Sequence, residues 1–156
     1  MRSLKEHPNI IKLLEVHEEK NEIIMILELM EGKNLYEFIK DKKKMDEQQI
    51  YQIFEQILIG VTFLHSNHVL HRDLKLENIL FSKNNENLQL KIADFTLSTF
   101  FPDDSEIFTD ICGTPGSMAP EIFTRNGYSK EIDIYSLGII LYILYKIFSS
   151  FSNNSD

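Results

Sequence analysis

A single cysteine, Cys112, stands in a chain of 156 residues. One thiol excludes an internal disulfide and fits a reducing, intracellular setting. Positive charge is scarce as well: 16 Lys and Arg face 24 Asp and Glu, for a net charge of −8. That balance argues against nucleic acid or an anionic membrane as partner and suits a basic peptide. The one basic cluster, Lys40-Asp41-Lys42-Lys43-Lys44, reads as a solvated loop between helices. Met1 to Glu6 carries no apolar h-region, so no secretory signal is visible. The most apolar run, Leu137 to Phe148, is broken by Lys146. It is too short to span a bilayer and reads as a helix buried in a core. Cytoplasm or nucleus is the expected location.

What is present is ordinary for a globular chain, 43% hydrophobic and 26% charged. The length allows one domain with a real core and little more. Two apolar runs, Ile10–Val16 and Ile23–Leu29, flank a polar stretch at Glu18–Glu22 and predict a β-hairpin. Gly32 interrupts, and Asn34 is placed to cap a short helix through Ile39. Asp46 to His65 predicts a longer helix capped by Asp46. There Ile50, Ile53, Phe54, Ile57 and Val61 fall on one stripe. Ile79–Phe81 and Leu88–Ile92 predict short strands, with the turn at Ser82–Asn87. Residues 94 to 121 read as one long irregular loop, a kind of segment that is usually functional or disordered. A helix from Ile132 to Phe148 follows, then a polar tail over 149–156.

One stretch stands out chemically: His71-Arg72-Asp73-Leu74-Lys75-Leu76-Glu77-Asn78. A carboxylate can accept a hydroxyl proton, a lysine two residues on can neutralise phosphate, and an amide five residues on can hold a metal. Phosphoryl transfer needs these groups, because its chemistry is mostly positioning and charge neutralisation. The stretch matches the H-R-D-L-x-x-x-N catalytic loop at every fixed position, and on that ground the chain resembles a eukaryotic-type serine/threonine protein kinase.

The resemblance implies roles. Asp73 would orient and deprotonate the acceptor hydroxyl, Lys75 would contact the γ-phosphate of ATP, and Asn78 would ligand Mg²⁺. Ala93-Asp94-Phe95-Thr96 follows a predicted strand where the metal-binding D-F-G belongs, so Asp94 would hold Mg²⁺ through hard oxygen ligands. Thr96 replaces the family glycine, and a β-branched residue resists the backbone angles that glycine allows. Metal positioning would be impaired but not abolished.

Cys112-Gly113-Thr114-Pro115-Gly116-Ser117-Met118-Ala119-Pro120-Glu121 resembles the end of an activation segment, with Ser117 where an aromatic usually stands. Thr114 would bond near Asp73 and Lys75. Glu121 would be a buried carboxylate lacking its family arginine, which is expensive. Arg72 normally receives an activation-loop phosphate, and Asp110 occupies the position of the phosphorylated threonine. Either Asp110 pairs with Arg72 and stands in for phosphate, with Thr109 as the fallback phosphosite, or it is a solvated loop aspartate.

Glu28-Leu29-Met30 resembles the hinge, where the backbone C=O of Glu28 and N–H of Met30 would bond adenine above Leu80. Asp133 would anchor the catalytic-loop backbone, and Leu13, His71 and Phe95 would stack as part of a regulatory spine. Glu77 would favour a basic residue near the acceptor, although Asn34 replaces the acidic residue that usually assists.

The resemblance covers nearly all of residues 1–148, as a partial kinase domain of α+β class. It implies a partial N-lobe hairpin followed by most of the helical C-lobe, up to a buried αF-like helix. No Gly-x-Gly-x-x-Gly, no V-A-I-K-like strand and no αC glutamate occurs in these residues. A partner chain covering the exposed lobe surfaces would suit such a piece. The activity implied is ATP-dependent phosphoryl transfer to a protein Ser or Thr, weak or absent for these residues alone. The pattern is closest to the calcium/calmodulin-dependent group, chiefly through Cys112 to Gly116. A non-catalytic, pseudokinase-like binding module and a fragment of a gene product without independent function are the alternatives.

Overall fold

The computed structural model describes residues 4–42, 45–82, 88–103, 105–124 and 126–152, with backbone alone for 149–152. The order of elements is mixed, in keeping with the α+β expectation. A hairpin comes first, from β1 (Leu13–Glu18) and β2 (Ile23–Leu27), antiparallel from Leu13↔Leu27 to Glu18↔Ile23. Glu19 and Glu22 close the turn through reciprocal backbone bonds. The first predicted strand starts three residues late because Ile10 and Ile11 are buried against the body instead. Ile11 N–H donates to the Ile92 carbonyl at 2.9 Å, and Ile92 N–H donates to that of Asn9 at 2.8 Å. Every residue of β2 is exposed, from Leu27 at 36% to Ile23 at 70%, so this apolar strand is only partly covered among the described residues.

Helix α1 (Leu35–Lys42) is capped as its sequence requires. The Asn34 side chain accepts from Glu37 N–H at 2.8 Å, and Leu35 and Phe38 are buried. It runs three residues beyond Ile39, taking in Lys40, Asp41 and Lys42 from the stretch expected to be loop. Lys43 and Lys44 lie outside the described residues.

Helix α2 (Glu47–Ser66) begins with a full capping box. Asp46 Oδ1 accepts from Gln49 N–H at 2.8 Å, and the Gln49 side chain accepts from Asp46 N–H at 3.3 Å. Its stripe of Ile50, Ile53, Ile57, Val61 and Leu64 is buried. Gly60 lets this helix approach closely, since a Cβ there would sit 2.8 Å from Ile92 Cδ1.

Four short strands frame the loop that follows. β3 (Val69–Leu70) pairs with β6 (Thr99–Phe100), and β4 (Ile79–Phe81) pairs with β5 (Leu90–Ile92). The stretch 94–121 is therefore not wholly irregular: β6 interrupts it, and α3 (Glu121–Thr124) starts at its end. β5 starts two residues later than predicted, because Leu88 turns with φ 42°. Residues 83–87, most of the predicted turn, lie outside the described residues.

Helix α4 (Glu131–Ser152) closes the chain and continues four residues past Phe148, into the stretch expected to be tail; residues 153–156 lie outside the described residues. Leu137, Ile140 and Leu144 join the main core around α2, whereas Leu70, Phe101, Ala119, Ile122, Tyr128 and Ile132 form a second, smaller core. Among the described residues no helix is long and apolar enough to cross a membrane.

The capping box of α2 gives a direct test. Asp46→Ala is expected to lower the unfolding free energy by about 1 kcal/mol, measured by urea denaturation.

Candidate active site

The site is built on a turn held from behind. Asp133, in the first turn of α4, is 1% exposed. Its Oδ2 accepts from His71 N–H at 3.0 Å and faces His65 Nε2 at 2.9 Å; its Oδ1 accepts from Arg72 N–H at 3.0 Å. A buried carboxylate is tolerable only when hydrogen-bonded, and here three donors meet it. Held this way, Arg72 adopts φ 69°, a left-handed conformation that a non-glycine residue keeps only when its surroundings fix it.

His71 itself is buried between the two halves of the site. Asp73 N–H donates to its Nδ1 at 3.3 Å, so Nε2 carries the proton and donates to the Ala93 carbonyl at 3.1 Å. Burial pushes its pKa down, outweighing the nearby Asp133, Ala93 carbonyl, Asp73 and Asp94. Its ring lies 5.0 Å from that of Phe95, while Leu13, the third residue of the expected stack, is half-buried in β1.

Asp73, Lys75, Asn78 and Thr114 converge. Asp73 Oδ2 accepts from Lys75 Nζ at 2.8 Å, and Oδ1 accepts from Thr114 Oγ1 at 2.6 Å. Lys75 Nζ also donates to Thr114 Oγ1 at 2.6 Å. Asn78 Nδ2 donates to the Asp73 carbonyl at 2.8 Å and to Oδ2 at 3.2 Å. The short 3₁₀ turn Leu76–Asn78 carries Asn78 into β4, and Asn78 accepts from Ala93 N–H at 2.8 Å through its carbonyl, which sets Asp94 beside the loop.

Asp94 is exposed and adopts φ 60°. The expectation of backbone resistance at Thr96 does not hold, because the left-handed residue is Asp94 and not Thr96. The constraint is a hydrogen bond. Thr96 Oγ1 donates to Asp94 Oδ1 at 2.6 Å, and Thr96 N–H donates to the same oxygen at 3.2 Å. The Thr96 hydroxyl bond holds the Asp94 carboxyl below its usual range despite partial burial, with further help from the Thr96 amide, His71 and Lys75. The Asn78 amide nitrogen is engaged by Asp73, which leaves its oxygen for a cation. Two hard oxygen donors fit Mg²⁺, which keeps several waters and takes the rest of its shell from phosphate. Among the described residues no group of three His, Cys, Asp or Glu could hold a metal without such help.

On the other side, Arg72 reaches the activation-type segment. Its Nε donates to the Leu97 carbonyl at 2.6 Å, and one terminal nitrogen donates to Asp110 Oδ2 at 2.7 Å. The same nitrogen reaches Tyr128 Oη at 3.3 Å. Tyr128 carried no sequence signal, yet its hydroxyl donates toward the Asp110 carbonyl at 2.8 Å and lies 3.4 Å from Cys112 Sγ. Burial pushes the Tyr128 hydroxyl far up, so it stays protonated. At Asp110 burial opposes ionisation, but Tyr128 and Arg72 together hold the carboxyl low.

The remaining predicted residues are dispersed. Glu28 is a strap: its N–H donates to the Lys12 carbonyl at 3.0 Å, and its Oε1 accepts from Lys12 N–H and Lys91 Nζ, both at 2.6 Å. Met30 and Leu80 are half-buried against the main core. Glu121 is only half-buried at the start of α3, so water reaches it and the expected cost of a buried unpaired carboxylate falls away. Ser117 Oγ donates to the Thr114 carbonyl at 3.0 Å and so helps to hold that residue.

Comparison with known proteins accords with this geometry. The whole chain, residues 1–156, matches the family described as protein kinase domain. It is 38% identical over 156 residues to calcium/calmodulin-dependent protein kinase type 1 of Caenorhabditis briggsae, covering 43% of that protein. It is 44% identical over 138 residues, 88% of this chain, to calcium/calmodulin-dependent protein kinase type IV of Homo sapiens, covering 29% of that protein. The chain belongs to the protein kinase family. Within it, the sequence stands near the calcium/calmodulin-dependent group of serine/threonine kinases, and the chain spans less than half the length of these relatives.

Two outcomes test the site's foundation. Asp133→Ala leaves His71 and Arg72 amides without an acceptor and is expected to cost about 3–5 kcal/mol of stability in urea denaturation. His71 has a depressed pKa, so the unfolded chain binds its proton more readily. Its contribution is therefore complete above about 6.5 and lost as pH falls below, by up to about 1.4 kcal/mol per pH unit. Thermal unfolding at pH 7 and pH 5.5 should show that drop, and His71→Gln should flatten it.

Proposed function

We propose that the chain carries the catalytic half of a serine/threonine protein kinase, acting on protein hydroxyls with ATP and Mg²⁺. The observation that supports this best is the convergence of Asp73, Lys75, Asn78 and Thr114 within hydrogen-bond reach of one another. In this reading Asp73 orients the acceptor hydroxyl and takes its proton as the new oxygen–phosphorus bond forms. The bond from the γ-phosphorus to the β-γ bridging oxygen breaks, and ADP leaves. Lys75 neutralises charge on the transferred group and, through Thr114, keeps Asp73 aimed. Asn78 and Asp94 would hold Mg²⁺, which when bound screens the phosphate charge. The backbone of Glu28 and Met30 would take adenine over Leu80.

Arg72 pairs with Asp110, which stands in for an activation-loop phosphate with less charge and fewer acceptors. The apolar β2, with every residue in the exposed range, supports a covering partner chain or segment over the hairpin.

A second reading, a non-catalytic binding module, is favoured by one feature: Thr96 bonds one of the two Asp94 carboxylate oxygens and competes there with a cation. Calorimetry separates the two. Thr96→Gly is expected to tighten Mg-ATP binding roughly tenfold, the worth of one charge-assisted hydrogen bond; unchanged affinity removes the competition from the account. In the longest natural product containing these residues, Asp73→Asn should cut phosphate transfer from labelled ATP to a basic Ser/Thr peptide by about 10²–10⁴-fold. If that product transfers no label at all, the binding module stands.

A further inference from the structure

Tyr128 lies between the catalytic loop and the segment that faces it, and no motif contains it. It is 3% exposed. Its backbone makes a two-way bridge with Phe108: Phe108 N–H donates to the Tyr128 carbonyl and Tyr128 N–H donates to that of Phe108, both at 2.9 Å. Its ring faces Phe108 at 6.0 Å, and the Arg72 guanidinium lies 5.7 Å from the same Phe108 ring. Its hydroxyl accepts from Arg72 at 3.3 Å and donates toward the Asp110 carbonyl at 2.8 Å and Oδ1 at 3.1 Å. The preceding residue permits the approach. Gly127 has φ 95°, and a Cβ there would sit 2.1 Å from Ile107 Cγ2.

These contacts divide the work at Asp110. The side chain is 56% exposed, and an ion pair that open to water contributes little by itself. What fixes it is the buried hydroxyl, which bonds the Asp110 backbone and carboxylate together while receiving the guanidinium. A neutral donor already in place removes the need to order two long side chains in water. We propose that Tyr128 is a positioning residue that presets Arg72 and Asp110, docking residues 107–112 onto the catalytic loop without any added phosphate. The segment would then stand in its docked arrangement as soon as the chain folds. Phosphorylation of Thr109, the neighbouring hydroxyl, would not be required for it. The importance of this lock for catalysis rests on the kinase reading; its existence does not.

Amide hydrogen exchange on the full chain tests the lock without reference to activity. Tyr128→Phe keeps the ring and the backbone bridge and removes only the hydroxyl. It is expected to reduce protection at the Phe108 and Tyr128 amides, which the bridge bonds, roughly tenfold, with α2 unaltered. Asp110→Asn, at an exposed position where folding is safe, should produce a comparable local loss, and Asp110→Glu should recover most of it. The double variant Tyr128→Phe/Asp110→Asn should be no worse than Asp110→Asn by more than about threefold, since both remove one shared network. Unchanged protection in Asp110→Asn, or additive losses in the double variant, overturns the proposal. So does a Tyr128→Phe loss spread equally over α2, which would make the hydroxyl merely structural. A protected segment, together with no phosphate transfer by the longest natural product containing these residues, would sink the kinase reading and leave the lock intact.

Discussion

One buried carboxylate holds this structure's functional half together. Asp133 stands in the first turn of α4 and takes hydrogen bonds from two successive backbone amides, His71 and Arg72, while facing His65 near the end of α2. A charge so deeply buried is stable only while its donors stay in place, and the donors keep their conformation only while the charge is there. The two helices and the catalytic loop are thereby bound into one unit. The left-handed backbone at Arg72 follows from the same arrangement, and with it the direction in which the Arg72 side chain leaves the loop.

From that residue the network runs outward. The backbone of Arg72 belongs to the catalytic loop, and its guanidinium belongs to the opposing segment through Leu97, Asp110 and Tyr128. On the inner side His71 joins the loop to Ala93, one residue before Asp94. Neighbouring side chains of one turn thus connect the loop that carries Asp73 to both flanking segments. Such an arrangement makes the loop rigid where Asp73 sits, and rigid placement is what phosphoryl transfer asks of a protein.

The other half is less enclosed. Asp94 is exposed and held chiefly by Thr96, and the β1–β2 hairpin presents an exposed apolar strand. Glu28 ties the hairpin to β5 through Lys91 but leaves that face open. The chain spans less than half of its relatives' length, and among its described residues the loop around Asp73 is the more enclosed part.

Local chemistry was legible in the sequence. Asn34 and Asp46 announced two helix starts, because a cap is a contact between residues three apart. The α2 stripe announced its buried face, and the H-R-D-L-x-x-x-N spacing announced that Asp73, Lys75 and Asn78 would lie together, because they share one short loop. Asp133 and the Arg72–Asp110 pairing came from family resemblance. Periodicity failed where burial depends on cover: β2 looks like a core strand, yet each of its residues is exposed. The substitution at Thr96 was visible, but its effect was misplaced, since backbone angles and the bond to Asp94 exist only in three dimensions. Tyr128 gave no signal at all, because its partners lie 16 to 56 residues away in the chain. The sequence by itself determined which groups could do the chemistry; the tertiary structure decided which of them meet, because only the docking of α4 and the 107–112 segment brings distant donors and acceptors within 3 Å or so of each other.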